Sequence, residues 1–389
     1  MRMFSNALKQ VDKMLADSYA DIKNCGDDIE RSAYIDYISQ LYELRATITG
    51  NYETIDFDAL LGSKKAVRQY ESLMQSIDKC CVLDYLKHKA FYKEYFGELF
   101  DIENELLNDF LSNDLMEFSQ LSKEEFFEYV YEFLKKYKLD NLLDRLVENR
   151  RLFSIPSYGD GDYLGGCYYN PVNKDTGVAL CSFKYNVLCM SVLIHELGHV
   201  YDLEHFDYSN PYFNYLKYSY ATSNSEIVPI MFEKLFIDFL LEKKYMRDET
   251  KDLAINTLLV GRDRMIDAYL LSLLDDKTII QGPKTVNLKK IFKKLSPYFE
   301  VDDGLMDEIE DGDLDPLYTQ KYGYGEVVGT ILKEEVKAEG FNGRLFSEVL
   351  KHRPRLFSPT FIENIASVST YEKVLTRDVE RLKKWLSLF

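Results

Sequence analysis

Residues 195–199 read His-Glu-Leu-Gly-His, and they close an apolar run, Val187-Leu188-Cys189-Met190-Ser191-Val192-Leu193-Ile194. The run is long enough to carry the motif into the middle of a buried helix. On a helix His195 and His199 lie four residues apart and share one face. The segment therefore calls for a fold that encloses this helix and brings two imidazoles and the Glu196 carboxylate to one place.

The residue types point to a metal. Two imidazoles at this spacing can reach one Zn²⁺ while Glu196 turns toward a water on the metal. Neutral imidazoles suit a borderline-soft ion that keeps one coordination position open and brings the pKa of its water to about 7. A carboxylate beside that water can take its proton and later deliver it to a leaving amine. Two core histidines and a solvated glutamate are the plain alternative. Against it, the chain holds five His, and His195, His199 and His205 fall within eleven residues. One Zn²⁺ per chain is the expectation.

A catalytic zinc needs a third protein ligand, and the sequence offers two. His205 has the HExxHxxxxxH spacing of metzincins, but Asp202 stands where that motif uses a glycine to bend the chain. The second candidate is Glu226, on a later helical segment that carries Glu226, Ile230, Glu233 and Ile237 along one face. Ser223-Asn224-Ser225-Glu226 also reads as a capping box, a role that leaves Glu233 unexplained.

Composition narrows the setting. With 389 residues, 46% hydrophobic and 14% aromatic, the chain can bury a large core. A net charge of −17 disfavours nucleic acid or an anionic membrane as partner. The six Cys form no CxxC pair, no stretch reaches eighteen apolar residues, and the first residues lack an apolar leader run, which together predict a cytoplasmic protein.

Residues 1–150 are poor in Pro and Gly, and their apolar positions recur at three- and four-residue steps, predicting several long helices. Ile155-Pro156-Ser157-Tyr158-Gly159-Asp160-Gly161-Asp162 marks a turn and a boundary, giving a helical region 1–155 and a catalytic region 156–389. Cys167-Tyr168-Tyr169 and Val178–Phe183 read as two short strands joined by a turn. Helices are expected at 186–204, 223–244, 249–273, 287–297 and 323–338, with a last pair near 359–387. The acidic stretch 302–315 lacks the placement of an EF-hand loop and reads as a solvated surface loop.

The pairing of His195-Glu196-Leu197-Gly198-His199 with Glu226-Ile227-Val228-Pro229-Ile230-Met231-Phe232-Glu233 resembles the thimet oligopeptidase and oligoendopeptidase F family. Gly165-Gly166-Cys167-Tyr168 and Val178–Phe183 resemble that family's turn and substrate strand. Pro316 through Gly329, with Tyr318, Tyr322 and Tyr324, is similar to its tyrosine segment. Two positions depart from the pattern: Pro316 replaces a substrate-stabilising His, and Glu326 replaces a Tyr.

The resemblance implies a mainly α, gluzincin-like zinc-peptidase fold with a small β-sheet beside the HExxH helix and a substrate groove walled in part by residues 1–155. It implies a zinc metallopeptidase acting on short peptides. His195, His199 and Glu226 would be the ligands, Glu196 the base, and Glu233 a support for the metal shell. Tyr318, Tyr322 and Tyr324 would donate to the oxyanion, and Val178, Ala179, Leu180, Cys181, Ser182 and Phe183 would pair with the peptide as an added strand. The alternatives are a metzincin using His205, and a catalytically impaired zinc-containing peptide binder.

Overall fold

The computed structural model describes residues 4–25, 28–51, 64–110, 118–155, 165–170, 175–205, 225–274, 276, 279, 316–352 and 359–387 of the chain. The expected turn at 156–162, the helix at 287–297 and the acidic stretch 302–315 lie outside these residues. The fold is mainly helical, with one small sheet. Two compact units interleave in sequence: Met1–Ser76, Glu117–Ser219 and Leu235–Glu249 form one, and Ile77–Met116, Tyr220–Lys234 and Thr250–Phe389 the other. Each draws on residues before and after position 155.

The first unit is built on the sheet. Strands β1 (Leu152–Ile155), β2 (Gly165–Asn170) and β3 (Asp175–Cys181) run in the order β1-β3-β2, with β1 parallel and β2 antiparallel to β3. Partners in register share a face, so Phe153 with Ala179 and Ile155 with Cys181 point the same way. That face packs on α1 (Ala7–Ile22) and α2 (Asp28–Thr49) through a core including Val11, Met14, Ile35, Ile38 and Leu41. The other face meets α6 (Val187–Glu204), the motif helix. Beside α6 lie α4 (Lys123–Lys136), opened by a Ser122–Glu125 capping box, and α5 (Asp140–Glu148).

The second unit draws its helices from α3 (Lys64–Leu107), α8 (Arg247–Leu273), α9 (Pro316–Glu339), α10 (Arg344–His352), α11 (Pro359–Ile365) and α12 (Val368–Leu386). To these is added the start of α7 (Ile227–Lys243). Its core is aromatic: the Tyr324 ring lies 5.4 Å from Phe96 and 6.0 Å from Tyr92, and the Tyr95 hydroxyl donates to the Ala366 carbonyl at 2.6 Å. Among the described residues no helix is long and apolar enough to cross a membrane.

That core also buries a carboxylic acid. Glu103 is 1% exposed and accepts a hydrogen bond from the Tyr371 hydroxyl. Burial, then the charge of Glu326, pushes its carboxyl up to about 8, against the opposing pull of Tyr371, Lys234 and Arg262. Because the folded value lies above the ordinary 4.5, the fold holds a proton that the unfolded chain has released between those two pH values. Stability is therefore fully present below 4.5 and falls as pH rises toward 8, by up to about 1.4 kcal/mol per pH unit from this group. Urea unfolding across that range should show the decline, and Glu103→Gln should flatten it. An unchanged slope in Glu103→Gln would remove Glu103 as its source.

Candidate metal centre

The motif helix forms as its sequence suggests. Asn186 caps α6 by accepting the Cys189 N–H at 2.9 Å, and Val187, Met190, Leu193, Ile194, Leu197 and Val200 are buried around the axis. His195 and His199 are half-buried, with ring centroids 4.9 Å apart, and Glu196 is 5% exposed. The helix continues through Asp202 to Glu204. His205 ends it, exposed, its ring stacked on Tyr201 at 4.0 Å and its Nδ1 2.9 Å from the Tyr201 carbonyl. His195, His199 and Glu226 each offer one ligand atom, all within 4.8 Å of one another, and His205 is not among them. Two nitrogens and one carboxylate oxygen are a donor set that suits a catalytic zinc.

The sheet runs close beside Glu196. A Cβ at Gly165 would come within 2.7 Å of Val192 Cγ1 and 3.0 Å of Glu196 Oε1, so only glycine lets β2 pass this near the carboxylate. Val178, Ala179, Leu180, Cys181, Ser182 and Phe183, expected to pair with a peptide, lie in and directly after β3. β3 is the middle strand, with Val178–Cys181 paired to β1 on one edge and Val178–Leu180 to β2 on the other. The Ser182 N–H donates to the Ile155 carbonyl at 3.0 Å, and Phe183 packs among Phe4, Phe126 and Tyr185. Paired on both sides, Val178, Ala179 and Leu180 have no free row of backbone groups to offer a peptide. β1 is not among the expected strands; its four residues directly precede a Pro/Gly-rich stretch of sequence. Ser5 bridges to Phe153 on the outer side of β1, whereas the outer edge of β2 pairs with no other described strand.

Glu226 sits at the start of α7, where its carbonyl accepts the Ile230 N–H at 3.0 Å, and its side chain is almost wholly buried. It is embraced by α9. Gly325 and Gly329 lie one turn apart on one face of α9; a Cβ at Gly325 would come within 2.9 Å of Glu226 Cβ, and one at Gly329 within 3.0 Å of the Ile227 carbonyl. Glycine at both positions lets the helix backbones approach to this distance. Lys321 lies one turn before Gly325 on the same face, and its Nζ is 3.0 Å from Glu226 Oε1.

The remaining charges of this face pair in turn. Arg264 reaches Glu233 and Glu326, both at 3.5 Å, and Lys234 meets Glu326 at 2.5 Å. Burial works against the Arg264 charge, but Glu233, Glu326 and Glu226 more than offset it and hold its pKa above the usual value. Tyr322 is half-buried, with Lys321 4.9 Å and Arg264 5.7 Å from its ring centroid. Tyr324 is 1% exposed and hydrogen-bonds Tyr92, within the core. Tyr318 lies in the first turn of α9, and its side chain is outside the described residues. Sequence reasoning passed over Lys321, Arg264 and Lys234. The available signal was a lysine in line with Gly325, Val328 and Leu332 on an otherwise apolar face.

No known family pattern matches the sequence, and no curated protein matches it. Among solved structures the chain is similar to PZ peptidase A in complex with an inhibitor, at a TM-score of 0.45 and 12% identity. It is also similar to a protein described as oligoendopeptidase F, at 0.41 and 13%, and to another so described from Bacillus anthracis, at 0.37 and 12%. Each match covers 92% of this chain, which spans only 65%, 65% and 64% of the respective structures. The names are those of the group that the motif order resembles.

Proposed function

We propose that the chain is a zinc-dependent peptidase that hydrolyses short, extended peptides. The observation that carries the reading is the convergence of His195, His199 and Glu226 with Glu196 on the same helix turn. A zinc held by these ligands supplies Lewis acidity and makes a water acidic near neutral pH. The chain's own groups do the rest. Glu196, enclosed by α6 and β2, takes the proton of the attacking water and returns it to the leaving amine. Glu233, fixed by Arg264, supports the ligand shell. Tyr322 donates to the oxygen on which charge develops, a role from which the buried Tyr324, engaged with Tyr92, is set aside.

In this reading the peptide adds to the outer edge of β2, whose first residue touches Glu196. An edge strand accepts an extended segment with free backbone groups. The strands of a folded protein have spent theirs on their own sheets, so unstructured peptides of roughly 5–20 residues should be cut and stable folded domains spared. The buried Cys181 and Cys189 are free thiols, which supports a cytoplasmic setting.

The test is hydrolysis of a short-peptide library and of a stable folded domain, each with and without a chelator. Chelator-sensitive cleavage confined to peptides is expected. Efficient cleavage inside the folded domain would overturn the edge-strand account, and zinc binding without cleavage of any peptide would favour the impaired binder.

A further inference from the structure

Glu326 stands where the pattern of the tyrosine segment has a Tyr, and none of the roles assigned above uses it. It is 1% exposed, and its carboxylate is enclosed by three helices. From α7 the Lys234 Nζ reaches Oε1 at 2.5 Å, and from α8 the Arg264 Nη1 donates to Oε2 at 3.5 Å. One turn further along α9 the Thr330 hydroxyl donates to Oε1 at 3.4 Å. Gly261 of α8 makes the room, since a Cβ there would come within 2.7 Å of Oε1. Lys234, Arg264 and Thr330 all donate to Glu326, so it serves as an acceptor and not as a donor in the Tyr's place. Taking a carboxylate this far out of water costs several kcal/mol before pairing, where an apolar side chain would fill the same volume at no such cost. The glutamate therefore needs a reason beyond packing.

Its two cations lead to the ligand carboxylate. The Arg264 nitrogen that meets Glu326 is also 3.5 Å from Glu233 Oε2, and the charge of Arg264 acts on Glu226 as well. Lys234 follows Glu233 in α7, the helix that Glu226 opens. On α9, Gly325 directly precedes Glu326, and its Cβ would come within 2.9 Å of Glu226 Cβ. Lys234 is buried and the Arg264 side chain only 15% exposed, so solvent screens both charges poorly. Unopposed, they would work against a further cation arriving at Glu226. Glu326 is the carboxylate that both of them share.

We propose that Glu326 is a positioning residue that acts through Lys234 and Arg264: it holds both cations in place and offsets their charge, so that a divalent ion can join Glu226. It touches no reacting atom. Its contribution is to the affinity for the metal, and the sign of that contribution is set by its charge.

This rests on the zinc site of the proposed peptidase, and it is tested with zinc alone. Affinity is measured by competition with a chromophoric chelator for the wild type, Glu326→Gln, Lys234→Met and the double variant. Glu326→Gln keeps the volume and removes the charge, and should weaken zinc binding by about 10–100-fold, the range that a lost outer-shell partner costs. Lys234→Met removes a cation from the same cluster and should strengthen it. The double variant, uncharged at both positions, should return close to the wild type. Opposite signs are the signature of charge. A Glu326 that only supports the fold would weaken zinc binding in both single variants and at least as much in the double, and that result overturns the proposal. So does unchanged affinity in Glu326→Gln. If Glu326→Gln alone does not fold, Lys234→Met and the double variant are read by the same signs, because replacing both members of a buried pair is often neutral for stability. A wild type that binds zinc and cleaves no peptide overturns the peptidase reading, while the signs above still decide this one. A wild type that binds no zinc overturns both.

Discussion

Glu196→Gln is expected to leave zinc in place and to lower peptide hydrolysis by about 10²–10⁴-fold. The amide has nearly the volume of the carboxylate, so the packing of α6, through Val192 and residue 196, against Gly165 of β2 survives. What is lost is the ability to accept a proton from the attacking water. Glu196 is 5% exposed, so bulk water cannot readily take over as base. Kinetics and metal content are measured on the same preparation. Near-native turnover would show that another group is the base. Loss of zinc with turnover would make Glu196 a ligand.

The ligand set yields the second large effect. Glu226→Ala should weaken zinc binding by more than the roughly 100-fold that removal of an outer-shell partner costs, because a third of the donor set disappears. His205→Ala should bind zinc as the wild type does, since its ring is stacked on Tyr201 at the C-terminus of α6. Competition with a chromophoric chelator measures both. The reverse outcome, zinc lost with His205 and kept without Glu226, would restore the metzincin alternative.

The motif helix was legible because everything that builds it is local. An apolar run, a capping asparagine and a four-residue spacing lie within Asn186–His199, and hydrogen bonds from each residue to the fourth before it need no distant partner. The expected helices at 186–204, 223–244, 249–273 and 323–338 appear as Val187–Glu204, Ile227–Lys243, Arg247–Leu273 and Pro316–Glu339 for the same reason. The boundaries shift by a few residues where side-chain caps and tertiary packing, rather than periodicity, set the end. The glutamates 226 and 233 were legible as candidates because they repeat along one helical face.

Pairing between distant segments was not legible. Strand β1 is too short to show periodicity, yet its parallel register with β3 makes β3 the middle strand, with Val178–Leu180 paired on both sides. That Glu226, and not His205, offers a ligand atom within 4.8 Å of those of His195 and His199 is likewise encoded by no spacing in the sequence. The ion pair of Lys321 with Glu226 joins residues 95 positions apart and arises because Gly325 and Gly329 let α9 approach the start of α7. The sequence by itself determined the helices and the chemistry they carry, since backbone hydrogen bonds and side-chain faces repeat over three or four residues. The tertiary structure alone decided which edges stay open and which charges meet, since those are set by contacts whose sequence separation leaves no periodic trace.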